Sequence, residues 1–285
     1  LALFRELSQR HWGRPHTVLY MHENQLAYPS QKGTAVDFPW INWSSALVAD
    51  EIWFNSRHHL DTFFELLPGL FDRFPDGPHD RPVADVRGKA VVMPVGVDLA
   101  AFSPSQGGGT ARIVWNHRWE HDKRPDRFMR AVRSLEGLDF EVVLCGEEPL
   151  GGDPARDAFV AALGDRLVWN GFADRDAYVE LLNGSDVAIS TADHEFFGIS
   201  VVEAVAAGCC PVLPARLSYP ELIAPAFHDD VFYVGSDAGA ALRGRVAAIE
   251  TTRALGRMLA SEMEEHAWEG VADSYDSRLE EAARR

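Results

Sequence analysis

Two glutamates, Glu195 and Glu203, stand eight positions apart in the stretch HEFFGISVVEAVAAGCCPVLP, which runs from His194 to Pro214. A carboxylate accepts paired hydrogen bonds, so it suits the vicinal hydroxyls of ribose and hexoses. Small and apolar residues recur at helical spacing over Ile199–Ala207, and Gly208 ends the pattern. Asp186–Ser190 reads as a short buried strand. His194–Gly198 therefore occupies a loop between the carboxyl end of a strand and the start of a helix. Open α/β sheets bind ligands there. Glu195 lies in that loop and Glu203 about one turn inside the helix, so both can face one cleft. The amides of Phe197, Gly198 and Ile199 are expected to be unpaired helix-start donors for a phosphate or a sugar oxygen. With Phe196 they form a donor-binding loop, and Gly198 permits close backbone approach. Diol acceptors flanking a phosphate cradle describe a nucleotide-sugar site.

A departing diphosphate needs positive charge, and NHRWEHDKRP (Asn116–Pro125) offers it in Arg118 and Lys123. Both follow the apolar run Arg112–Trp115, at the carboxyl end of a strand, although a solvated loop would carry the same residues. His22, Glu23, Asn24 and Gln25 follow another apolar run in the same way. His22 is placed to orient a donor sugar or an incoming hydroxyl; a histidine there could also cap a helix or satisfy a carbonyl. The catalytic set is thus His22, Glu195, Arg118 and Lys123, with no protein nucleophile evident. Asp174-Arg175-Asp176 imitates a metal-binding Asp-x-Asp, but it opens a helical segment, so Asp174 is read as an N-cap and no metal is assigned. Trp115, Trp119 and Trp169 could stack on a base, but tryptophans at strand ends are more often packing residues. Tyr219-Pro220-Glu221 reads as a cleft-facing turn, and Tyr219 and Glu221 join Glu23, Asn24 and Gln25 as acceptor-side candidates.

These residues need elements to hold them. Apolar runs bounded by turn residues occur at Thr17–Met21, Ile52–Phe54, Ala90–Met93, Arg112–Trp115, Phe140–Cys145, Leu167–Trp169, Val187–Ser190 and Cys210–Leu213. Helical patterns lie between most of them, which predicts α/β layers around mostly parallel sheets. The Gly-rich segment Ser103–Gly109 divides the chain as a linker would. The expected organisation is two doubly wound, Rossmann-like domains facing a cleft. Residues 1–105 form the acceptor side, 106–265 the nucleotide-sugar side, and 266–285 a helix crossing back. With three strand signals, the first domain reads as incomplete.

Composition narrows the field. The 285 residues are 46% hydrophobic and 25% charged, as in ordinary globular proteins. No apolar run reaches the roughly 18 residues of a membrane span. LALFRELSQR at the start reads as a surface helix, and Cys145, Cys209 and Cys210 lack metal-ligand spacing and read as reduced structural thiols. The expected location is the cytoplasm, with no membrane partner. The net charge of −16 sets the chain as a whole against polyanions. Residues 112–133 nevertheless hold seven basic residues against three acids. Such an island suits a small phosphorylated ligand or one face touching nucleic acid, and a solvated helix face would look alike.

In its EFFGISVVEAVAAGCCPVLP setting, the glutamate pair resembles the retaining glycosyltransferases of the GT-B fold. The resemblance implies that Glu195 contacts the donor sugar, that Glu203 holds the ribose, and that Arg118 and Lys123 grip the diphosphate. VWNGF (Val168–Phe172) is similar to the loop that lines the base, implying donor contacts at Asn170, Gly171 and Phe172. MPVGVDLAAF (Met93–Phe102) resembles the inter-domain segment, and HAWEGVADSYD (His266–Asp276) the C-terminal crossing helix. YMHENQLAYP (Tyr20–Pro29), WNHRWEHDKRP and RLSYPEL (Arg216–Leu222) together resemble the tRNA-queuosine mannosyltransferase family. That match implies GDP-mannose as donor and the queuosine base of tRNA as acceptor; no metal cofactor is expected if Arg118, Lys123 and the helix-start amides suffice for the diphosphate. A retaining transferase with another nucleotide sugar and a lipid or small-glycoside acceptor is the alternative. A non-catalytic nucleic-acid-binding or regulatory protein on the same fold is a third reading.

Overall fold

The computed structural model describes residues 15–28, 37–72, 80–104, 108–148 and 151–284. The expected N-terminal helix over residues 1–10, Pro29 of the HENQ segment and residues 105–107 of the linker lie outside the described residues. The chain divides into two compact units, residues 1–95 with 271–285, and residues 96–270.

In the first unit, β1 (Val18–Met21), β2 (Glu51–Phe54) and β3 (Ala90–Val92) form a parallel sheet in that order. Leu19 pairs with Ile52, and Trp53 with Val91. Parallel pairing requires crossovers, supplied by α1 (Asp37–Val48), α2 (Arg57–Phe71) and α3 (Asp80–Gly88). Ser56 caps α2, its Oγ accepting from the His59 amide at 3.0 Å. Leu60, Phe63, Phe64, Leu67 and Phe71 then recur at helical spacing and are buried in one cluster with Ile52 and Phe54.

Among the described residues, the second unit holds six parallel strands: β4 (Ala111–Trp115), β5 (Phe140–Cys145), β6 (Leu167–Gly171), β7 (Val187–Ile189), β8 (Cys210–Pro214) and β9 (Phe232–Tyr233). Their spatial order is β6-β5-β4-β7-β8-β9. Counted from the unit's own first strand, this is the 3-2-1-4-5-6 order of dinucleotide-binding folds, and the order reverses between β4 and β7. Ile113, Val114, Trp115, Val187 and Ala188 are buried, because helices cover the sheet and the strands need no alternation. The crossovers are α4 (Pro125–Arg133), α5 (Pro154–Leu163), α6 (Arg175–Asn183), α7 (Ile199–Ala206), α8 (Tyr219–Leu222) and α9 (His228–Val231). Two further helices, α10 (Ala238–Ala247) and α11 (Ile249–Glu262), follow β9. Phe128 of α4 stacks on Trp115 with ring centroids 4.9 Å apart, fixing that helix beneath the strand that leads to the site.

The terminal helix α12 (Trp268–Ala283) begins in the second unit, and its remainder belongs to the first. The Trp268 amide donates to the Val97 carbonyl at 3.0 Å, and a Cβ on Gly96 would overlap the Trp268 ring. Further along, Arg278 donates to the buried Glu51 at 2.9 Å, and Trp53 Nε1 donates to the same carboxylate at 2.9 Å. Two donors satisfy a charge that burial alone would expel.

Candidate functional site

At the switch point of the second sheet, the loop after β4 and the loop after β7 are stitched together. The Asp193 amide donates to the Asp122 carbonyl at 2.7 Å, and Thr191 Oγ1 to the Lys123 carbonyl at 3.0 Å. Lys123 is the hub. Its ammonium, 14% exposed, lies 2.9 Å from the His194 carbonyl, 3.3 Å from Asp122 Oδ2 and 3.4 Å from Glu195 Oε2. Sequence-predicted Lys123 and Glu195 therefore meet, as an ammonium and a carboxylate presented at one loop junction. His117, beside them, is fully enclosed; burial, with the Lys123 charge adding to it, lowers its pKa to about 3. It stays neutral at physiological pH.

The amides before α7 differ from expectation. Glu195 Oε1 accepts from the Phe196 amide at 3.2 Å and from the Phe197 amide at 3.5 Å. The loop's own carboxylate covers the helix-start donor expected at Phe197, because an anion is favoured at that end of a helix. The side chains of Phe196 and Phe197 are buried, so as donor-binding residues they offer backbone only. Gly198 has φ +105° and meets Leu222 and Tyr219 so closely that a Cβ would lie 3.1 Å from Leu222 Cδ1. Its carbonyl accepts from Val201 and Val202, which starts the helix at Ile199, itself exposed.

Glu203 has its own partners. Oε1 accepts from Arg175 Nη1 at 2.7 Å and Oε2 from the Tyr178 hydroxyl at 3.0 Å. Asn116 Nδ2 donates to that hydroxyl at 3.0 Å and to the Ser200 carbonyl at 2.8 Å, tying the loop after β4 to α6 and α7. Burial first, then the Glu203 charge, raises the Tyr178 pKa well above that of a free phenol. The hydroxyl stays protonated and donates. A cavity of about 370 Å³ opens here, lined by Asn116, Arg118, Gly146, Glu147, Phe172 and Tyr178 among others. A Cβ on Gly146 would strike the His117 carbonyl, so only glycine gives this cavity its floor. Arg118 is paired with Glu120 at 3.2 Å and is 58% exposed, leaving its guanidinium accessible at the rim. Phe172 is 71% exposed beside it, a free ring face for a base. Asn170 is held instead by Arg156, whose Nη2 donates to its Oδ1 at 2.7 Å, and Gly171 takes φ +121°.

Sequence reasoning missed Tyr178 and Arg175 as partners of Glu203, and Asn116 as the residue that holds Tyr178. Asn116 carried a signal, since it opens the NHRWEHDKRP segment; Tyr178 and Arg175 carried none, being ordinary positions of α6. Replacing Glu203 by Ala is expected to weaken nucleotide binding about 10- to 100-fold, the loss of about 1–3 kcal/mol for charge-assisted hydrogen bonds. Calorimetry with GDP measures it, and an unchanged affinity removes the ribose role.

Other candidates fare differently. Tyr219 does not sit in a cleft-facing turn: it starts the short helix α8, is fully buried, and its hydroxyl lies 2.7 Å from Ser190 Oγ. Burial of a large ring in the core removes it from the acceptor side, whereas Glu221 is exposed. In the first unit His22 and Glu23 are exposed just after β1, with the His22 ring 4.9 Å from that of Tyr20. Glu23 Oε2 accepts from Gln25 Nε2 at 3.3 Å, and the Gln25 amide donates to Asn42 Oδ1 at 2.9 Å. Asn24 is wholly buried and its Oδ1 accepts from the Leu26 amide at 3.0 Å, so it builds the turn rather than meeting an acceptor. Asp174 is an N-cap, accepting from the Ala177 amide at 3.0 Å. Among the described residues, no three His, Cys, Asp or Glu side chains are grouped to hold a metal ion. Nor is any described helix long and apolar enough to cross a membrane.

Comparison with known proteins identifies the family and the fold. Residues 1–97 match the family model described as tRNA-queuosine alpha-mannosyltransferase N-terminal, and residues 102–261 match that of glycosyl transferases group 1. A tRNA-queuosine alpha-mannosyltransferase of Drosophila melanogaster is 32% identical over 220 residues, 72% of this chain and 58% of the relative. The chain thus spans little more than half the length of that relative. A GDP-mannose-dependent alpha-(1-6)-phosphatidylinositol dimannoside mannosyltransferase of Mycobacterium tuberculosis is 32% identical over 146 residues, 47% of this chain and 37% of its own. Among solved structures, Anabaena HepE in complex with UDP superposes with a TM-score of 0.72 at 14% identity, covering 96% of this chain and 74% of that one. Sucrose-phosphate synthase from Thermosynechococcus elongatus gives 0.68 at 14%, covering 97% and 70%. Strand order, parallel sheets and these superpositions agree on a GT-B architecture. The model matched over residues 102–261 spans more than half of the sequence, and the chain belongs to the group 1 glycosyl transferases.

Proposed function

We propose that the chain transfers mannose from GDP-mannose to the queuosine base of tRNA, with retention of configuration. The reading is carried by the match of residues 1–97 to the N-terminal model of the tRNA-queuosine mannosyltransferases. The site in the second unit supports it. Glu203, braced by Arg175 and Tyr178, accepts the ribose hydroxyls, and Phe172 offers a face to the guanine. Lys123 and Arg118 take the diphosphate, and Glu195 contacts the mannose. Two relatives whose names specify mannosyl transfer, one of them GDP-mannose-dependent, support the donor.

In the proposed step, the bond between mannose C1 and the β-phosphate oxygen breaks, and an acceptor hydroxyl adds to C1 on the same face. The hydroxyl proton passes to the leaving phosphate. The cations stabilise charge that develops on the diphosphate, which accelerates the step because they bind it more strongly in the transition state. His22 orients the donor sugar or the incoming hydroxyl. No metal cofactor takes part, and the reaction belongs in the cytoplasm, where its acceptor is. The test incubates the protein with radiolabelled GDP-mannose and either queuosine-containing or unmodified tRNA, with and without EDTA. Label in the queuosine tRNA alone, undiminished by EDTA, is the expected result. Label in both tRNAs or in neither overturns the acceptor, and loss of label with EDTA overturns metal independence.

A further inference from the structure

The basic island extends beyond Lys123 and Arg118. Arg124, Arg127 and Arg216 converge on Asp193, two residues before Glu195. Asp193 Oδ1 accepts from Arg127 Nη1 at 2.6 Å and from Arg216 Nη2 at 2.9 Å, and Oδ2 from Arg124 Nη1 at 2.9 Å. Burial alone would raise that carboxyl's pKa, but the hydrogen bonds from Arg124, Arg216 and Arg127 outweigh it and hold the pKa far below the ordinary range. Arg124 and Arg130 also share Asp126, at 2.9 and 3.1 Å. Four guanidiniums thus surround two carboxylates, a local excess of two positive charges on a chain of net charge −16.

Structural ion pairing would account for a balanced cluster, but this one is unbalanced and opens on empty space. Two adjoining cavities of about 370 and 290 Å³ share the walls Arg127, Tyr233, Gly235 and Ser236. Arg130 lines the first and Arg216 the second, so Arg127 stands between them. Asp237, in the first cavity, is the acid among these walls. Arg127 spends one nitrogen on Asp193, and a guanidinium carries five N–H donors in a planar fork. The residues that open α10, Ala238 to Ala240, line the first cavity too, and their helix has no side-chain cap.

We propose that this ledge binds consecutive phosphates of the acceptor RNA, holding its backbone while the target nucleotide reaches the donor site. The inference rests on the tRNA reading above. Cations strung across two joined cavities match a polymer of phosphates better than a single anion. Sequence-independent backbone contacts of this kind fix the position of a nucleic acid without reading it. Asp193 links the ledge to the loop of Glu195, so the backbone would be fixed close to the chemistry.

The test leaves the Asp193 brace intact. Arg130→Glu and Ser236→Glu place negative charge in the cavity while leaving Arg124, Arg127 and Arg216, the residues that bond Asp193, unreplaced. Binding of labelled tRNA to the full chain is measured by anisotropy against salt, beside GDP binding by calorimetry and vesicles of anionic phospholipid. Each variant is expected to weaken tRNA binding about tenfold and to flatten the salt dependence by about one phosphate contact. GDP affinity stays unchanged. Retention of tRNA within twofold in both variants overturns the ledge, even where the parent mannosylates tRNA. Failure of the parent to bind tRNA, or binding of vesicles in its place, overturns it too. A parent that binds tRNA through the ledge but transfers no mannose upholds the ledge and overturns the acceptor reading instead.

Discussion

Replacing Lys123 by Ala is expected to lower mannosyl transfer about 10²- to 10³-fold, the effect of removing one preorganised charge from a developing anion, about 3–4 kcal/mol. The ammonium lies 3.4 Å from Glu195 Oε2 and 2.9 Å from the His194 carbonyl, at 14% exposure. It therefore holds the loop of Glu195, and in the proposed reaction it would meet the diphosphate as well. Lys123→Arg is expected to recover little, since a planar fork cannot sit where a compact ammonium meets three oxygens. Single-turnover transfer at saturating donor isolates the chemical step, and a thermal melt reports folding. Turnover within threefold of the parent would remove Lys123 from the reaction. A melting temperature that collapses would make it a structural residue. The expected result is a slow enzyme that melts normally, because the loops are also tied by the Asp193–Asp122 and Thr191–Lys123 bonds, which use backbone groups.

Much of this arrangement was legible in the sequence, for physical reasons that differ by element. Runs such as Val142–Cys145 are apolar throughout because a parallel sheet is covered on both faces, so eight strands announced themselves. β9, two residues long, is too short to carry any pattern. Strand ends then located the loops, and loops at the carboxyl end of a parallel sheet are where Lys123 and Glu195 had to be. What the sequence withheld is what three-dimensional proximity decides. Tyr178 and Arg175 reach Glu203 from another helix, at separations of 25 and 28 residues. The Glu195 side chain folds back on its own following amides, which no spacing rule anticipates. Tyr219 read as part of a cleft-facing turn, yet its ring is buried and its hydroxyl lies 2.7 Å from Ser190 Oγ.

The opposite end of the same strands yields the second large effect, on stability alone. Arg253 of α11 donates from Nε to Asp186 Oδ1 at 2.7 Å and from Nη2 to Oδ2 at 3.2 Å, with both side chains buried. Nη2 also reaches the carbonyls of Gly108 and Gly109 at 3.2 and 3.1 Å, just before β4. Asp186 in turn accepts from the Arg112 amide at 2.9 Å, so one ion pair fixes the amino-terminal ends of both switch-point strands. Arg253→Ala strands the Asp186 charge in the interior, and breaking such a pair costs about 3–5 kcal/mol. The urea midpoint is expected to fall accordingly, with the slope unchanged. GDP affinity of the folded protein should stay the same, since the proposed nucleotide site lies at the carboxyl ends of β4 and β7. A parallel loss of affinity would show that the two ends are coupled, and a midpoint that does not move would show that solvent reaches Asp186. Lys123 and Arg253 thus contrast: a half-buried cation at the carboxyl ends of the strands, whose loss is expected to slow the reaction, and a buried one at their amino-terminal ends, whose loss is expected to destabilise the fold.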